Sequence, residues 1–169
     1  AWLDAKTFGW SRSPVVEMLI PSTVDDSLAP SGKHVASLFC QHFAPELPEG
    51  QAWETGRDAA AQTVIEKVTE YAPNFADSIL GMCILTPANL EQEFGLIGGD
   101  IFHGALGLDQ LFSARPVLGY GNYRAPIKGL YMCGSGTHPG GGVTGAPGYN
   151  AAREILRDVR RKQGSHRRA

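Results

Sequence analysis

The stretch GLYMCGSGTHPGGGVTGAPGYN, residues 129–150, decides how this chain is interpreted. A short apolar run precedes it, and a pattern typical of an amphipathic helix follows it. A strand, a glycine-rich loop and a helix N-terminus are therefore predicted here, in that order. Glycine lets a backbone approach a ligand closely, and the first N–H groups of a helix have no partner within the helix. The composition is that of a ligand-binding loop, although tight turns that pack a strand against a helix explain it equally.

Several common motifs are excluded by the letters of the sequence. A P-loop ends in Gly-Lys-Ser or Gly-Lys-Thr, and the chain contains neither triplet. A dinucleotide-binding fingerprint reads G-x-G-x-x-G, whereas the glycine that follows Gly134 and Gly136 comes at Gly140, one residue too late. The G-x-S-x-G motif of α/β hydrolases is also absent from the sequence. Hydrolase chemistry, a P-loop and a dinucleotide fingerprint that starts at Gly134 are therefore rejected.

The composition is that of a globular domain with a hydrophobic core: 169 residues, 43% hydrophobic and 19% charged. The net charge of −2 does not favour nucleic acid as a partner. The C-terminal region nevertheless carries five basic side chains and no acid over residues 160–168: Arg160, Arg161, Lys162, Arg167 and Arg168. We expect a solvated end after the last helix, with contact to a phosphate or an anionic membrane surface as the alternative.

Cysteine usage and hydropathy limit the compartment. Cys40, Cys83 and Cys133 are widely spaced and form no C-x-x-C pair, so we expect the cytoplasm or another reducing intracellular compartment, the mitochondrial matrix included. No apolar run approaches the roughly 20 residues that a transmembrane helix needs, and there is no signal-peptide pattern. No two histidines have metal-ligand spacing, so we expect no metal. The chain starts at Ala1 without a methionine, and we expect it to be a piece of a longer protein.

Hydrophobic periodicity predicts a mixture of strands and helices. Four strands are expected, at residues 15–20, 34–43, 78–85 and 130–133. The first two are expected to form an antiparallel hairpin, with the second covered on both faces. Three helices are expected, at residues 53–71, at residues 88–94 and after the glycine loop; Thr86 and Thr144 are the expected N-caps of the last two. Because strands and helices do not alternate strictly, the predicted class is α+β, with a mixed or antiparallel sheet packed against helices.

Residues 130–152 resemble the C-terminal flavin motif of the phytoene-desaturase-like flavoproteins, nearest the pyridine nucleotide-disulfide oxidoreductase domain-containing group. The resemblance rests on LYMCGSGTHPGGGV followed by GAPGYNAA. It reaches back to DQLF at 109–112, RP at 115–116 and YRAPI at 123–127. Residues 20–34 and 98–104 resemble the substrate half of the same family. The resemblance therefore spans nearly the whole chain.

The resemblance implies that the complete protein binds FAD and removes a hydride from a small organic, apolar substrate, as in desaturation. It places the glycine loop beside the flavin, and the cofactor-binding residues that it implies are Gly134, Ser135, Gly136, His138, Gly142, Val143, Gly145 and Ala146. The N–H groups of Gly145 and Ala146 are expected to meet the flavin, since a helix N-terminus favours the negative charge that a reduced ring gains. Pro147 departs from this pattern, because it removes one donor from the first turn.

The resemblance also implies a division of the chain and a missing part. Residues 1–115 are expected to belong to a substrate domain, and residues 116–169 to complete an FAD-binding domain with a strand, the glycine loop and a helix. Family members begin with a strand–G-x-G-x-x-G–helix unit that holds the ADP half of FAD, and nothing in residues 1–40 of this chain resembles it. The N-terminal FAD-binding half is therefore the expected partner. The chain alone is expected to retain no FAD and to be inactive.

Other polar residues leave alternatives open, and none is identified as catalytic. His138 is expected either near the flavin or in a structural role within the turn. His103 and Arg115 are candidates for the substrate side of the site. Arg115 and Arg124 are alternatively expected to pair with a core carboxylate or with cofactor oxygens.

A second class of function, a non-catalytic interaction module, also fits the sequence. A substrate domain severed from its enzyme exposes apolar surface, and such surface tends to find a partner, often a second copy of the chain. A homo-oligomer is expected in that case. A portion of an enzyme would instead gain flavin when it is mixed with its missing half.

Overall fold

The computed structural model describes residues 1–166 and forms two compact units, Ala1–Gly99 and the residues from Asp100 onward. They are here called unit 1 and unit 2. The division after residue 115 that the sequence predicts concerns the domains of the complete protein, and it stays a prediction.

Unit 1 is built on a two-stranded antiparallel sheet. The short helix α1 (Trp2–Phe8) leads into β1 (Trp10–Leu19), which pairs with β2 (Ser37–Phe43). Gly9 makes the turn between α1 and β1 with a φ of 92°, and a Cβ atom at this position would lie 2.5 Å from Leu47 Cδ2. Both the backbone conformation and the space therefore favour glycine. The predicted antiparallel hairpin is confirmed, although β1 begins earlier than expected.

Helix α2 (Trp53–Thr69) covers one face of this sheet. Trp53 is 6% exposed, and its ring centroid lies 6.0 Å from that of Trp10 and 6.4 Å from that of Phe43. Its indole N–H donates to two carbonyls just after β2, at 3.1 and 3.2 Å. The buried face continues along the helix at Ala60, Val64 and Val68. The four-residue spacing of these residues is that of one helix face, and the amphipathic helix predicted here is confirmed.

The opposite face of the sheet is open. In the register of the two strands, Val15, Leu19 and Phe39 share one face, and their exposed fractions are 51%, 71% and 39%. The sequence predicts that β2 is covered on both sides, and this is wrong. A run that is apolar at every position predicts burial on two faces, but the exposure of Val15, Leu19 and Phe39 shows that no second layer covers this face.

Two short helices follow, α3 (Phe75–Ser78) and α4 (Pro87–Phe94). Thr86 caps α4: its hydroxyl accepts the N–H of Asn89 at 3.2 Å, and the Asn89 amide oxygen accepts the N–H of Thr86 at 3.1 Å. The predicted cap and helix are confirmed. The strand predicted for residues 78–85 is wrong, since Leu80 and Met82 are 77% and 63% exposed and no strand forms there. An apolar run becomes a strand only where a neighbouring strand accepts its hydrogen bonds.

Unit 2 consists of turns and one long helix, α5 (Ala146–His166). Short 3₁₀ turns lie at Leu108–Gln110 and Phe112–Ala114. The strand predicted for residues 130–133 is wrong, because it is reduced to one antiparallel bridge between Arg124 and Tyr131. Tyr123, next to the bridge, has a positive φ of 67°, which is outside the β region, and the ladder does not continue past it. In its coarse form the predicted class is correct: the described residues form an α+β structure with a two-stranded antiparallel sheet and five α-helices.

The basic C-terminal region is partly helical. Arg160 and Arg161 are exposed residues of α5, so the predicted end of the last helix before them is wrong. Arg167 and Arg168 lie outside the described residues. Within residues 1–166, no helix combines the length and the apolar character needed to cross a membrane.

Candidate functional site

The glycine loop, residues 134–145, adopts a backbone that few residues other than glycine can form. Gly140, Gly142 and Gly145 have φ values of 100°, 123° and 68°. Val143 also has a positive φ, 55°, and its side chain is fully exposed. A positive φ is unusual for a β-branched residue. The second half of the loop is therefore a sequence of left-handed turns that directs the backbone outward, immediately before α5.

The first half of the loop is folded on itself. Thr137 is 2% exposed; its N–H and its hydroxyl both donate to the Gly134 carbonyl, at 3.0 and 2.8 Å. The Gly140 N–H donates to the Thr137 carbonyl at 2.7 Å. These bonds close two successive turns. Residues 134–140 thus form a compact base for the turns that follow.

The second half of the loop has unused donors. Within the described residues, no hydrogen bond from the backbone N–H groups of residues 141–145 is present. The Ala146 N–H donates to the Thr144 hydroxyl at 3.2 Å. The first helical bond runs from the Tyr149 N–H to the Gly145 carbonyl, so Gly145 is the N-cap and the prediction of Thr144 is wrong by one residue. Of the two N–H groups that the resemblance assigns to a flavin, that of Gly145 is available and that of Ala146 is engaged. The roles of Gly145, Ala146 and the other predicted loop residues in cofactor binding stay predictions.

Arg115 lies beneath the loop as a buried cation. The residue is 2% exposed. Its guanidinium donates to the Ser135 carbonyl through Nη2 and Nε, at 2.8 and 3.3 Å. It also donates to the carbonyls of Phe102, His103 and Ala105, at 3.4, 3.3 and 3.2 Å. The guanidinium therefore ties residues 102–105 to the glycine loop, and its predicted place on the substrate side stays untested.

Tyr123 holds the loop from a second direction. Tyr123 is 9% exposed. Its hydroxyl donates to the His138 carbonyl at 2.9 Å and accepts a hydrogen bond from the Asn150 amide at 2.9 Å. The hydrogen bonds from Asn150 to Tyr123 and from Tyr123 to His138 join α5 to the turn before Gly140. The His138 ring lies 5.2 Å from the ring of Phe112. Both the backbone and the side chain of His138 thus have structural contacts, while a role near a flavin stays a prediction.

An ion-pair network fixes α5 to the bridge between Arg124 and Tyr131. The Arg124 guanidinium donates to both oxygens of Asp158, at 2.8 and 3.0 Å, and to Glu154 at 2.8 Å. The Tyr131 hydroxyl donates to Asp158 at 2.9 Å. Arg124 therefore pairs with carboxylates, one of the two roles that the sequence left open. Its hydrogen bonds, followed by that of Tyr131, lower the pKa of Asp158 to about 2.

The same network shifts two neighbouring groups. The hydrogen bond from Arg124 lowers the pKa of Glu154, and the hydrogen bond to Asp158 raises the pKa of Tyr131. Both shifts keep the network in its bonded state at neutral pH, with ionised carboxylates and a protonated phenol. The network is a structural clamp on the helix whose N-terminus follows the glycine loop.

His103 lies in a turn organised by Asp100. The Asp100 carboxylate accepts the N–H groups of Phe102 and Gly104, at 2.8 and 2.7 Å. His103 is exposed, with a positive φ of 55°, and its carbonyl is one of the acceptors of Arg115. Its ring is therefore accessible on the surface of unit 2, and its role toward a substrate stays a prediction.

Sequence reasoning missed the residues that hold the loop in place. Tyr123 and Asn150 lie 27 positions apart, and neither position has a local pattern that signals a hydrogen bond. Glu154 and Asp158 lie four residues apart on a predicted helix, a spacing that puts two carboxylates on one face. That spacing was the available signal for the partner of Arg124.

Comparison with known proteins finds oxidoreductases. The chain is 51% identical over 161 residues to rat pyridine nucleotide-disulfide oxidoreductase domain-containing protein 2, covering 95% of this chain and 28% of that protein. It is 32% identical to a limonene dehydrogenase polypeptide of Castellaniella defragrans, over 68% of this chain and 21% of that protein. It is 29% identical to a 4,4'-diapophytoene desaturase of Staphylococcus aureus, over 79% of this chain and 26% of that protein. No protein-family model matches.

These similarities establish the chain as a homologue of a general oxidoreductase family that includes dehydrogenases and desaturases. The resemblance stated from the glycine motif is confirmed at this level. The chain spans little more than a quarter of the length of the curated rat relative, at 28%. The comparison therefore covers too little of the relative to show the activity of a complete protein that contains this chain.

Proposed function

We propose that this chain is the C-terminal portion of an FAD-dependent oxidoreductase that removes a hydride from an organic, apolar substrate. The observation that carries the proposal is the run of N–H groups over residues 141–145 that find no acceptor among residues 1–166, directly before the N-terminus of a long helix. Hydrogen-bond donors beside a positive helix end form a site for an electron-rich group. The similarity to a dehydrogenase and a desaturase supports a redox cofactor as that group, and the proposed cofactor is the flavin of FAD.

The residues of the loop fit the oxygen-rich edge of an isoalloxazine ring. The left-handed turns at Gly142 and Gly145 leave the backbone uncovered by side chains, and a Cβ atom at Gly145 would meet nothing within 4 Å. Carbonyl oxygens of a ligand therefore have access to the donors. When bound, FAD supplies the acceptor for the two electrons of the hydride. Residues 141–145 bind the ring, and the N-terminus of α5 favours the charge that it gains.

The rest of the cofactor needs another part of the protein. In dinucleotide-binding folds a strand followed by G-x-G-x-x-G receives the pyrophosphate. The one stretch of this sequence with that spacing, Gly140 to Gly145, follows turns and, within the described residues, no strand. The chain alone therefore offers contacts to one end of FAD. We expect tight binding only in the presence of the N-terminal half, so that half is the proposed partner.

A reconstitution experiment tests this function. The chain is purified alone and together with the N-terminal half of the same protein, and bound flavin is measured by absorbance after gel filtration. We expect the complex to retain FAD and the chain alone to retain none. Flavin retained at one equivalent by the chain alone would contradict the division of the site, and flavin retained by neither sample would contradict the function itself.

A loop variant locates the site within the complex. Gly145→Ala places a side chain where φ is 68°, a conformation that disfavours any residue with a Cβ atom. Gly81→Ala is the matched control, since Gly81 has open space around it and no positive φ. We expect the first variant to lose flavin and the control to keep it. Equal retention by the two variants would argue against a flavin at this loop.

A second candidate function, an interaction module, is favoured by the open face of the sheet in unit 1. Val15, Leu19 and Phe39 are exposed together on that face. A separate open groove of about 560 Å³ lies on the other side of the sheet, between β1 and α2, lined among others by Met18 and Tyr71. Exposed apolar surface of this kind marks an association site.

Sedimentation velocity at several concentrations tests the second candidate. A chain that associates through this face becomes monomeric when Leu19, at 71% exposure, is replaced by lysine. Val24→Lys is the control, because Val24 is 93% exposed and lies outside the two strands. A wild-type chain that is monomeric at every concentration would rule out self-association.

A further inference from the structure

The buried guanidinium of Arg115 has no carboxylate among its hydrogen-bond partners within the described residues. Its acceptors are four backbone carbonyls, and it is absent from the ion pairs of the described residues. A charge that is 2% exposed and faces only peptide dipoles is expensive to bury. A buried cation of this kind attracts negative charge to its surroundings.

The charge acts on the glycine loop through one peptide group. Both Nε and Nη2 of Arg115 donate to the Ser135 carbonyl, which belongs to the same peptide unit as the N–H of Gly136. That N–H makes no hydrogen bond within the described residues. A carbonyl that accepts bonds from a cation polarises its peptide group, so the N–H at the other end becomes a stronger donor. Arg115 Nε is also 4.0 Å from the position that a Cβ atom on Gly140 would occupy.

We propose that Arg115 is a positioning residue that strengthens the binding of the reduced flavin more than that of the oxidised flavin, and so raises the reduction potential of the cofactor. This inference rests on the proposed function. A hydride carries two electrons and one proton from the substrate carbon, so the ring that accepts it gains one negative charge. A fixed positive charge beneath the loop stabilises that state selectively. The role differs from that of a substrate contact, since the guanidinium is enclosed within unit 2.

The effect of Arg115 is measured as the ratio of the affinity for reduced FAD to the affinity for oxidised FAD. Loss of the hydrogen bonds of Arg115 loosens the loop and weakens the binding of both redox forms. Loss of the charge weakens the binding of the reduced form in addition. Arg115→Met removes the bonds and the charge, whereas Arg115→Lys removes the fork of the guanidinium and keeps the charge. The two variants therefore separate geometry from electrostatics.

The experiment uses the full-length protein. FAD-free protein is titrated with oxidised FAD in air and with reduced FAD under anaerobic conditions, and the midpoint potential of the bound flavin is measured independently. We expect Arg115→Met to lose about tenfold more affinity for reduced than for oxidised FAD, which equals a fall of about 30 mV for a two-electron couple. We expect Arg115→Lys to keep the wild-type ratio to within about threefold. Tyr123→Phe, which removes a loop bond and no charge, should weaken both forms equally.

Each outcome decides the inference. Equal weakening of both redox forms in Arg115→Met would overturn it and leave the proposed function intact. If Arg115→Met does not fold, Arg115→Gln takes its place, because glutamine also removes the charge and keeps an amide donor. A fall of about tenfold in the ratio then supports the inference, and an unchanged ratio refutes it. Failure of the wild-type full-length protein to retain FAD in either form would count against the proposed function.

Discussion

Tyr123→Phe removes a single hydroxyl that holds two parts of unit 2 together. The hydroxyl donates to the His138 carbonyl and accepts from the Asn150 amide, both at 2.9 Å. The phenylalanine ring fills the same space, so the change leaves one acceptor and one donor without a partner. The substitution therefore tests hydrogen bonding separately from packing.

The expected cost follows from the burial of the groups that lose a partner. A fully buried donor or acceptor left unsatisfied costs about 1–3 kcal/mol. Tyr123 is 9% exposed, but His138 and Asn150 are half-buried, so water satisfies part of their hydrogen-bonding capacity. We expect the free energy of unfolding to fall by about 1–2 kcal/mol. For a unit of this size, each 1 kcal/mol lowers the melting temperature by about 4–8 °C.

The assay is equilibrium unfolding of the chain in urea, followed by circular dichroism, with thermal melting as a second measurement. Tyr149→Phe is the matched control, since Tyr149 is 65% exposed, its hydroxyl has no hydrogen bond within the described residues, and phenylalanine keeps the ring under Arg153. We expect the control to remain within about 0.5 kcal/mol of wild type. A double-mutant cycle with Asn150→Ala should give a coupling of about 0.5–1 kcal/mol. Equal stability of Tyr123→Phe and Tyr149→Phe would refute the role of the hydroxyl.

Three further predictions concern other parts of the chain. Trp53→Ala should lower the free energy of unfolding by about 3–5 kcal/mol, because it opens a cavity at the centre of the aromatic cluster of unit 1, and urea unfolding measures it. Gly145→Ala should cost about 1–2 kcal/mol in the same assay because of its φ of 68°, while Gly81→Ala should change little. The hydrogen bond from Arg124 lowers the pKa of Asp158 to about 2, below the value of about 4 in an unfolded chain. The stability that this ion pair contributes is therefore present above pH 4 and is lost between about pH 4 and pH 2. Asp158→Asn should therefore be less stable than wild type at pH 7 and approach it at pH 2; a pH-independent difference would contradict the assignment.

Local patterns in the sequence predicted the helices well. Helix α2 was predictable because its buried residues recur at helical spacing, and α4 because Thr86 and Pro87 are typical of a helix start. These signals act between residues that are neighbours along the chain. The glycine loop was predictable for a related reason, since left-handed turns at Gly140 and Gly142 select glycine directly.

Two predicted strands failed because strand formation depends on a partner elsewhere. Residues 78–85 have the apolar composition of a buried strand, yet no neighbouring strand accepts their hydrogen bonds. Residues 130–133 find one bridging pair only. The contacts that hold the candidate site also join residues that are distant in the sequence. Arg115 and Ser135 are 20 positions apart, and no local pattern marks them as partners. The glycine loop was therefore predictable from the sequence, and the long-range hydrogen bonds that hold it in place were not.

The hydrogen bonding of residues 134–138 explains why this loop suits an electron-rich partner. The carbonyls of Gly134, Ser135, Thr137 and His138 all accept hydrogen bonds from the protein. Of the N–H groups in the same segment, only that of Thr137 has a partner within the described residues. The acceptors are thus used to hold the loop, and the donors remain. A surface with spare donors, a buried cation below it and a helix N-terminus after it discriminates against cations and against ligands that only donate. It favours a group whose negative charge increases during the reaction, as that of a flavin does when it receives a hydride.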